Sequence, residues 1–294
     1  MHKCLWARIV ATIGLGFLLG ACAADTAPAP AASAPETTAA APVERPVLLD
    51  GNAKSFILVG YSTSYVWPQL VQDMLDEHAG ERTYHVLNAV IGGSPVGRWI
   101  ADPSSEDYQA TYGAMLTDFF GDTPRLRGEA PAATIALLQQ SLQRTPTPET
   151  RLGPVTSADD EHGIRIGADA LEKLAMQLRS DGIEHVIIGM HIYKEGYEPE
   201  VGNERFALDE LLRREHPFVH AGPDVWSLTI AEHPDAFTDD RLHPNARGSK
   251  LMAEAWYRSI AGASARQDII DTMRAREIDD DAMMREYLDW RRAQ

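Results

Sequence analysis

Phe56-Ile57-Leu58-Val59-Gly60 runs directly into Tyr61-Ser62-Thr63. An unbroken apolar run closed by a glycine reads as a strand buried on both faces, the strand type of a parallel sheet. A serine just past such a strand, on a turn that Gly60 permits, is where an α/β protein can expose a nucleophile. Far downstream stands Asp240-Arg241-Leu242-His243, a carboxylate and an imidazole three positions apart on one short turn. That pair supplies a base, and an acid to orient it, for a serine that is a weak nucleophile by itself. The two stretches together point to serine-based hydrolysis.

Working outward from Gly60, strand and helix signals alternate, which predicts a parallel sheet covered by helices on both faces. The strand Ser55 to Gly60 leads into a helix from Pro68 to His78, with proline in its first turn and Leu70, Val71, Met74 and Leu75 at helical spacing. Thr83 to Ala89 reads as a second strand. Ala168 to Arg179 reads as a helix feeding a strand from His185 to Gly189, and Glu204 to Arg214 as another helix. Asp224 to Ile230 is expected to be a later strand, and Ala246 to Ile260 a final core helix carrying Leu251, Met252, Ala255 and Trp256.

Two segments stand outside this alternation. Residues 101–164 carry short helical patterns broken by Pro103, Pro124, Pro131, Pro146, Pro148 and Pro154, too long for a plain connection. They are expected to form a cap-like insert near the C-terminal edge of the sheet. Residues 263–294 hold Ile269, Ile270, Met273, Ile278, Met284 and Leu288 among many charges, the pattern of an amphipathic helical extension docked on the domain.

The N-terminus speaks to location. Lys3 and Arg8 precede an apolar stretch, Ile9 to Leu19, short for a stable membrane-spanning helix. Leu19-Gly20-Ala21-Cys22 resembles a bacterial lipobox, which implies a signal peptide over 1–21 and lipidation of Cys22; an ordinary secretory signal with an incidental cysteine is the other reading. Ala23 after that cysteine favours the outer membrane of the bacterial envelope. Residues 22–45, rich in alanine and proline, read as a semi-extended tether, and 46–262 as the catalytic domain. Only Cys4 and Cys22 occur, so no thiol remains downstream for a disulfide, a catalytic cysteine or a thiolate metal site. The formal charge of −16 argues against nucleic acid as a partner and leaves the lipid on Cys22 as the expected tie to a membrane.

The motifs resemble those of the SGNH (GDSL-type) hydrolases, in four blocks that occur in order. Gly60-Tyr61-Ser62, with Trp67-Pro68-x-Leu70 behind it, matches the first, and Asn88-Ala-Val-Ile-Gly92-Gly93 the second. The third falls on Gly189-Met190-His191. The fourth and most specific is Asp240-Arg-Leu-His243-Pro244-Asn245, followed by Gly248. The resemblance covers Ser55 to Ile260 without the insert. It implies a three-layer, flavodoxin-like α/β fold and a cofactor-free serine esterase acting on acyl esters, carbohydrate esters among them. It assigns Ser62 as nucleophile, His243 as base and Asp240 as its orienting acid, with the amides of Ser62 and Gly93 as oxyanion donors.

Two positions depart from the family pattern. Tyr61 stands where an aspartate is usual. His191 stands where an oxyanion asparagine is usual; a ring N–H can donate in its place, and Asn203 is the alternative donor. These departures keep a binding-only lipoprotein in view, and acyl transfer to a sugar hydroxyl is open to the same triad. Asp239 could exchange roles with Asp240, although only Asp240 has the three-residue spacing to His243. Asp-x-x-His can also ligate a metal, but His216, His220 and His233 are scattered, so no metal is expected. Tyr61, Tyr65, Trp67 and Trp99 are candidates either for an acyl or sugar pocket or for the core.

Overall fold

A computed structural model describes residues 49, 55–80, 84–121, 134–142, 155–197 and 199–293, with side chains to 289. The expected signal peptide, Cys22 and the expected tether lie outside the described residues, as do 122–133 and 143–154 of the insert. No helix among the described residues is long and apolar enough to cross a membrane.

Among the described residues, five parallel strands form one sheet in the order β2-β1-β3-β4-β5: β1 (Ser55–Gly60), β2 (His85–Asn88), β3 (Thr134–Gln139), β4 (His185–Ile188) and β5 (Val219–Ala221). This is the doubly wound, flavodoxin-like order, in which the chain reverses direction across the sheet between β1 and β3. All six residues of β1 are buried, because its side chains alternate between two cores. Phe56 and Leu58 face a core with α1 (Trp67–Ala79), α7 (Ala246–Ala261) and α8 (Gln267–Ala275). Ile57 and Val59 face a second core with α4 (Glu161–Ser180) and α5 (Glu200–Leu212). The result is three layers, helix on sheet on helix.

Two expectations are corrected. The insert is not all cap: Thr134–Gln139 within it is β3, the central strand, paired with β1 from Ser55↔Thr134 to Gly60↔Gln139 and with β4 on its other side. In its sequence, Thr-Ile-Ala-Leu-Leu-Gln, only Thr134 and Ile135 are β-branched, and so short an apolar run does not distinguish strand from helix. The rest of the described insert lies on the second core. There, the short helix α3 (Glu106–Tyr108) and the turns Gln109–Gly113 and Leu116–Phe120, with Met115 between them, bury Tyr112, Met115 and Phe119. The strand expected at Asp224 to Ile230 is instead helix α6 (Val225–Ala231). Asp224 caps it by accepting from the Ser227 amide at 3.0 Å, and Val225 and Thr229 turn inward one helical turn apart. The last strand is the short β5 just before it.

The C-terminal extension forms α8 and α9 (Asp280–Ala293). Ile269, Ile270, Met273, Met283 and Tyr287 bury against the α1/α7 side, and Asp280 accepts from the Ala246 amide at 2.6 Å, serving the exposed N-terminus of α7.

The start of α7 is packed tightly against the chain before it. Asn245 caps it through the Gly248 amide at 3.1 Å and donates to the Asp235 and Phe237 carbonyls, both at 2.9 Å. A Cβ on Gly248 would lie 2.1 Å from the Ala236 carbonyl oxygen, so the backbones meet closer than any side chain allows. Alanine ordinarily stabilises a helix interior by about 1 kcal/mol over glycine. Here Gly248→Ala should instead destabilise the fold by roughly 1–3 kcal/mol. A lowered thermal midpoint checks this, and an unchanged or raised one contradicts it.

Candidate active site

The site lies where the sheet order places it, at the C-terminal ends of the strands beside the β1/β3 switch. After β1 the chain leaves Tyr61 in extended conformation and tightens into a 3-10 turn, Ser62–Ser64. Ser62 is the first residue of that turn, so its amide has no acceptor within it. Asn88, at the end of β2, pins this turn from the side. Its amide nitrogen donates to the Tyr65 carbonyl at 3.0 Å and its oxygen accepts from the Val90 amide at 3.0 Å. Behind the turn, Trp67 stacks on Trp256 at 5.3 Å and 2°. Trp256 in turn donates to the Gln139 side chain at 2.7 Å, locking α1, α7 and β3 together.

The Asp240–His243 turn reaches Ser62 from α7's side of the sheet. Ser62 Oγ lies 2.9 Å from His243 Nε2, and His243 Nδ1 lies 2.6 Å from Asp240 Oδ2. The other Asp240 oxygen accepts from the Leu242 and His243 amides at 2.8 and 2.9 Å and from the Thr238 hydroxyl at 2.7 Å. Arg241 takes a left-handed φ of 53° to close this turn, and its guanidinium pairs with Glu195 at 3.0 Å. Burial pushes the Asp240 carboxyl upward, but the bonds from the His243 ring, the two amides and Thr238 outweigh it and hold the acid well below the ordinary carboxylate range. Asp240 therefore stays ionised and fixes the proton of His243 on Nδ1, leaving Nε2 as the acceptor for the serine proton. Asp239 makes no such contact; Asp240 takes the role.

Gly92 and Gly93 form an exposed turn after β2. A Cβ on Gly92 would come within 2.5 Å of the Tyr65 hydroxyl and 3.9 Å of Ser62 Cβ, so the turn sits directly against Ser62. Gly93 follows with φ of 65°, a left-handed conformation that glycine adopts without strain. Arg98 braces the turn, donating to the Gly93 carbonyl at 3.4 Å and to the Ser94 hydroxyl at 3.3 Å while paired to Asp107 at 2.6 Å.

His191 does not join this group. It is 1% exposed, its Nδ1 donates to the Ile192 carbonyl at 2.7 Å, and its Nε2 is buried with no protein partner. A nitrogen without accessible surface cannot meet a substrate oxygen, so the expected oxyanion role for His191 is withdrawn. Its ring instead stacks on Tyr61 at 4.8 Å and 19°. The alternative donor, Asn203, lies within α5 beside Glu204 and is nearly buried. Of the aromatic candidates, Trp67 and Trp99 are fully buried core residues. Tyr65 alone borders the glycine turn. His216, His220 and His233 lie with three different partners, Glu172, His185 and Glu195.

Thr238 lies outside the four blocks; with Asn245 of the fourth it flanks the Asp240–His243 turn and holds it. Glu204, a charge at helical spacing among Val201, Leu208 and Leu211, is buried with them on α5.

No protein-family model matches the chain, and no curated protein matches it. Similar solved structures include LAE5, an alpha/beta hydrolase enzyme from the metagenome of Lake Arreo, Spain, at 14% identity and a TM-score of 0.47, covering 72% of this chain and 97% of that one. Another is an acetyl esterase mutant with acetate ion, at 12% identity and 0.48, covering 74% and 99%. A third is the psychrotrophic esterase EstA from Pseudoalteromonas sp., at 16% identity and 0.44, covering 70% and 96%. With every one of these scores below 0.5, the chemistry rests on this chain's own residues.

The geometry assigns Asp240 an orienting part that depends on its charge. Asp240→Asn keeps an oxygen for the Leu242 and His243 amides but presents the ring with the wrong partner. It should leave the fold intact and lower kcat on an acyl ester by roughly 10³- to 10⁴-fold. Steady-state kinetics with a thermal melt checks this; a loss under tenfold would contradict it.

Proposed function

We propose that this chain is a serine esterase of the SGNH type that hydrolyses carboxylic esters through an acyl-serine intermediate. The observation that carries the reading is the unbroken relay from Ser62 Oγ through His243 to Asp240, at 2.9 and 2.6 Å, on an accessible edge of the sheet. Ser62 Oγ attacks the ester carbonyl as its proton passes to His243 Nε2. The carbonyl oxygen gains the negative charge and is met by the Ser62 and Gly93 amides. Each such donor is worth about 3 kcal/mol of barrier. The tetrahedral species expels the alcohol, which leaves with the proton from His243. A water, deprotonated by the same nitrogen, then attacks the acyl-serine and releases the carboxylic acid, restoring the Ser62 hydroxyl.

The relay supports turnover over a binding-only role, and Tyr61 in place of the usual aspartate leaves it intact. The lipobox-like Leu19-Gly20-Ala21-Cys22 and the Ala/Pro-rich stretch after it support a location on the bacterial envelope, and we favour acetyl groups on polysaccharide as the ester class.

Purified protein should release acetate from a chromogenic acetyl ester, and Ser62→Ala should lose at least roughly 10³-fold of that rate. The absence of turnover on every short acyl ester would overturn the reading. For location, cells expressing the full chain should incorporate a labelled fatty acid into the protein, and Cys22→Ser should abolish the label and free the protein from the membrane fraction. Labelling that survives Cys22→Ser would contradict the anchor.

A further inference from the structure

Beneath the exposed triad lies a buried polar cluster that the hydrolytic cycle does not use. Glu204 on α5 is 6% exposed, and one of its oxygens accepts from the Ser141 hydroxyl and the Leu142 amide, both at 3.0 Å. Ser141 follows β3, and its carbonyl accepts from the Val96 amide at 3.0 Å. Val96 opens the short helix α2 (Val96–Trp99), directly after the Gly92–Gly93 turn. Glu204 is thus two contacts from Val96, three residues past Gly93. On the other side, His191 stacks on the ring of Tyr61, the residue before the nucleophile.

Glu204 and His191 line the same small cavity, about 10 Å³, together with Gln140, Leu171, Met190 and Leu208. That is room for about one water. The chemistry of the two groups is complementary. The Ile192 carbonyl can only accept, so the His191 proton sits on Nδ1 and Nε2 is left as a lone-pair acceptor inside the cavity. The Gln140 side chain is likewise buried without a protein partner. An ionised carboxylate would bring no donor to these groups; a protonated one brings the hydrogen that His191 Nε2 lacks.

We propose that Glu204 and His191 form a neutral acid–base pair, the carboxyl of Glu204 donating to one water in the shared cavity and that water donating to His191 Nε2. Its work is to hold the Tyr61–Ser62 turn and the Gly92–Gly93 turn in register as positioning residues. The surroundings agree with neutral partners. Burial pushes the Glu204 carboxyl up to about 8, against the pull of its bonds from Ser141 and Leu142 and of the Lys194 charge. Burial and the same lysine hold His191 down to about 3. The ionisable groups around the pair are Tyr61, kept protonated by burial, Lys194, whose ammonium is weakened by burial, and Tyr197, whose ring carries that ammonium at 4.2 Å.

The sign of the pH effect follows. A carboxyl raised from 4.5 to about 8 gives the folded state an advantage that is whole below the lower value and is lost as pH climbs through the upper one. Glu204→Gln offers the same acceptor to Ser141 and Leu142 and a permanent donor to His191, so it should remove this dependence.

The decisive comparison is between wild type, Glu204→Gln and Glu204→Leu. Relative to Glu204→Gln, the wild-type thermal midpoint should fall by roughly 5 °C or more between pH 5 and 9. On an acyl ester, Glu204→Gln should keep wild-type kcat near neutrality and lose the alkaline decline. Glu204→Leu should lose roughly ten- to a hundredfold in kcat with KM little changed. Ring nitrogen shifts should report His191 as the Nδ1–H form. Parallel pH dependence of wild type and Glu204→Gln, failure of glutamine to rescue what leucine loses, or an Nε2–H ring would each overturn the pair. The thermal and ring measurements need no turnover, so they decide this proposal even if the esterase reading fails, and they survive a Glu204→Leu variant that does not fold.

Discussion

The hydrogen bond from Ser62 to His243 spans 181 positions of chain, and the architecture can be read as the means of making it. One partner ends the strand beside the switch in sheet order; the other sits on the turn before α7, on the same edge. Neither segment can hold its side chain alone. The serine turn is fixed by Asn88 from β2 and by the Trp67–Trp256 stack behind it. The histidine turn is fixed by Asp240, Thr238 and the Asn245 cap, which is itself seated only because Gly248 admits the Ala236 carbonyl. Misplacing reacting groups by about 1 Å costs on the order of 10²-fold in rate, so these supports matter to chemistry as well as to stability.

How much of this was legible in the chain depends on how local each cause is. Phe56–Gly60 announces itself because a buried parallel strand must be apolar throughout. Asp240 and His243 announce themselves because their contact lies within a single turn. Thr134–Gln139 was hidden for the converse reason: its place at the centre of the sheet comes from pairing with β1 and β4, which leaves no mark in six residues of alanine, leucine and their neighbours. Val225–Ala231 misled because β-branched and aromatic residues suggest a strand, whereas the Asp224 cap and the inward pair Val225 and Thr229 decide for a helix. His191 misled in another way. A histidine after the expected strand fits an oxyanion donor by position, but its burial depends on Tyr61 and on residues from α4 and α5 that no short motif contains.

The site therefore has two electrostatic tiers. At the surface, Asp240 is ionised by a ring of donors and polarises His243. Below, Glu204 is deprived of water and carries the opposite tendency, toward the neutral acid. Two carboxylates on one sheet edge are driven apart in protonation by hydration and by the number of donors each receives. The C-terminal helices add to the upper tier, since Asp280 serves the start of α7 and Tyr287 stacks on Tyr65 at 5.7 Å, next to the glycine turn.

The central claim is that Ser62 is the nucleophile and that backbone amides, without His191, receive the developing charge. A crystal structure of the protein after reaction with an alkyl fluorophosphonate tests it most directly. The account predicts phosphorus bonded to Ser62 Oγ and the phosphoryl oxygen about 3 Å from the Ser62 and Gly93 nitrogens, with the His191 ring still stacked on Tyr61. Phosphorus on another residue, an unmodified Ser62, or a phosphoryl oxygen bound by His191 would contradict it.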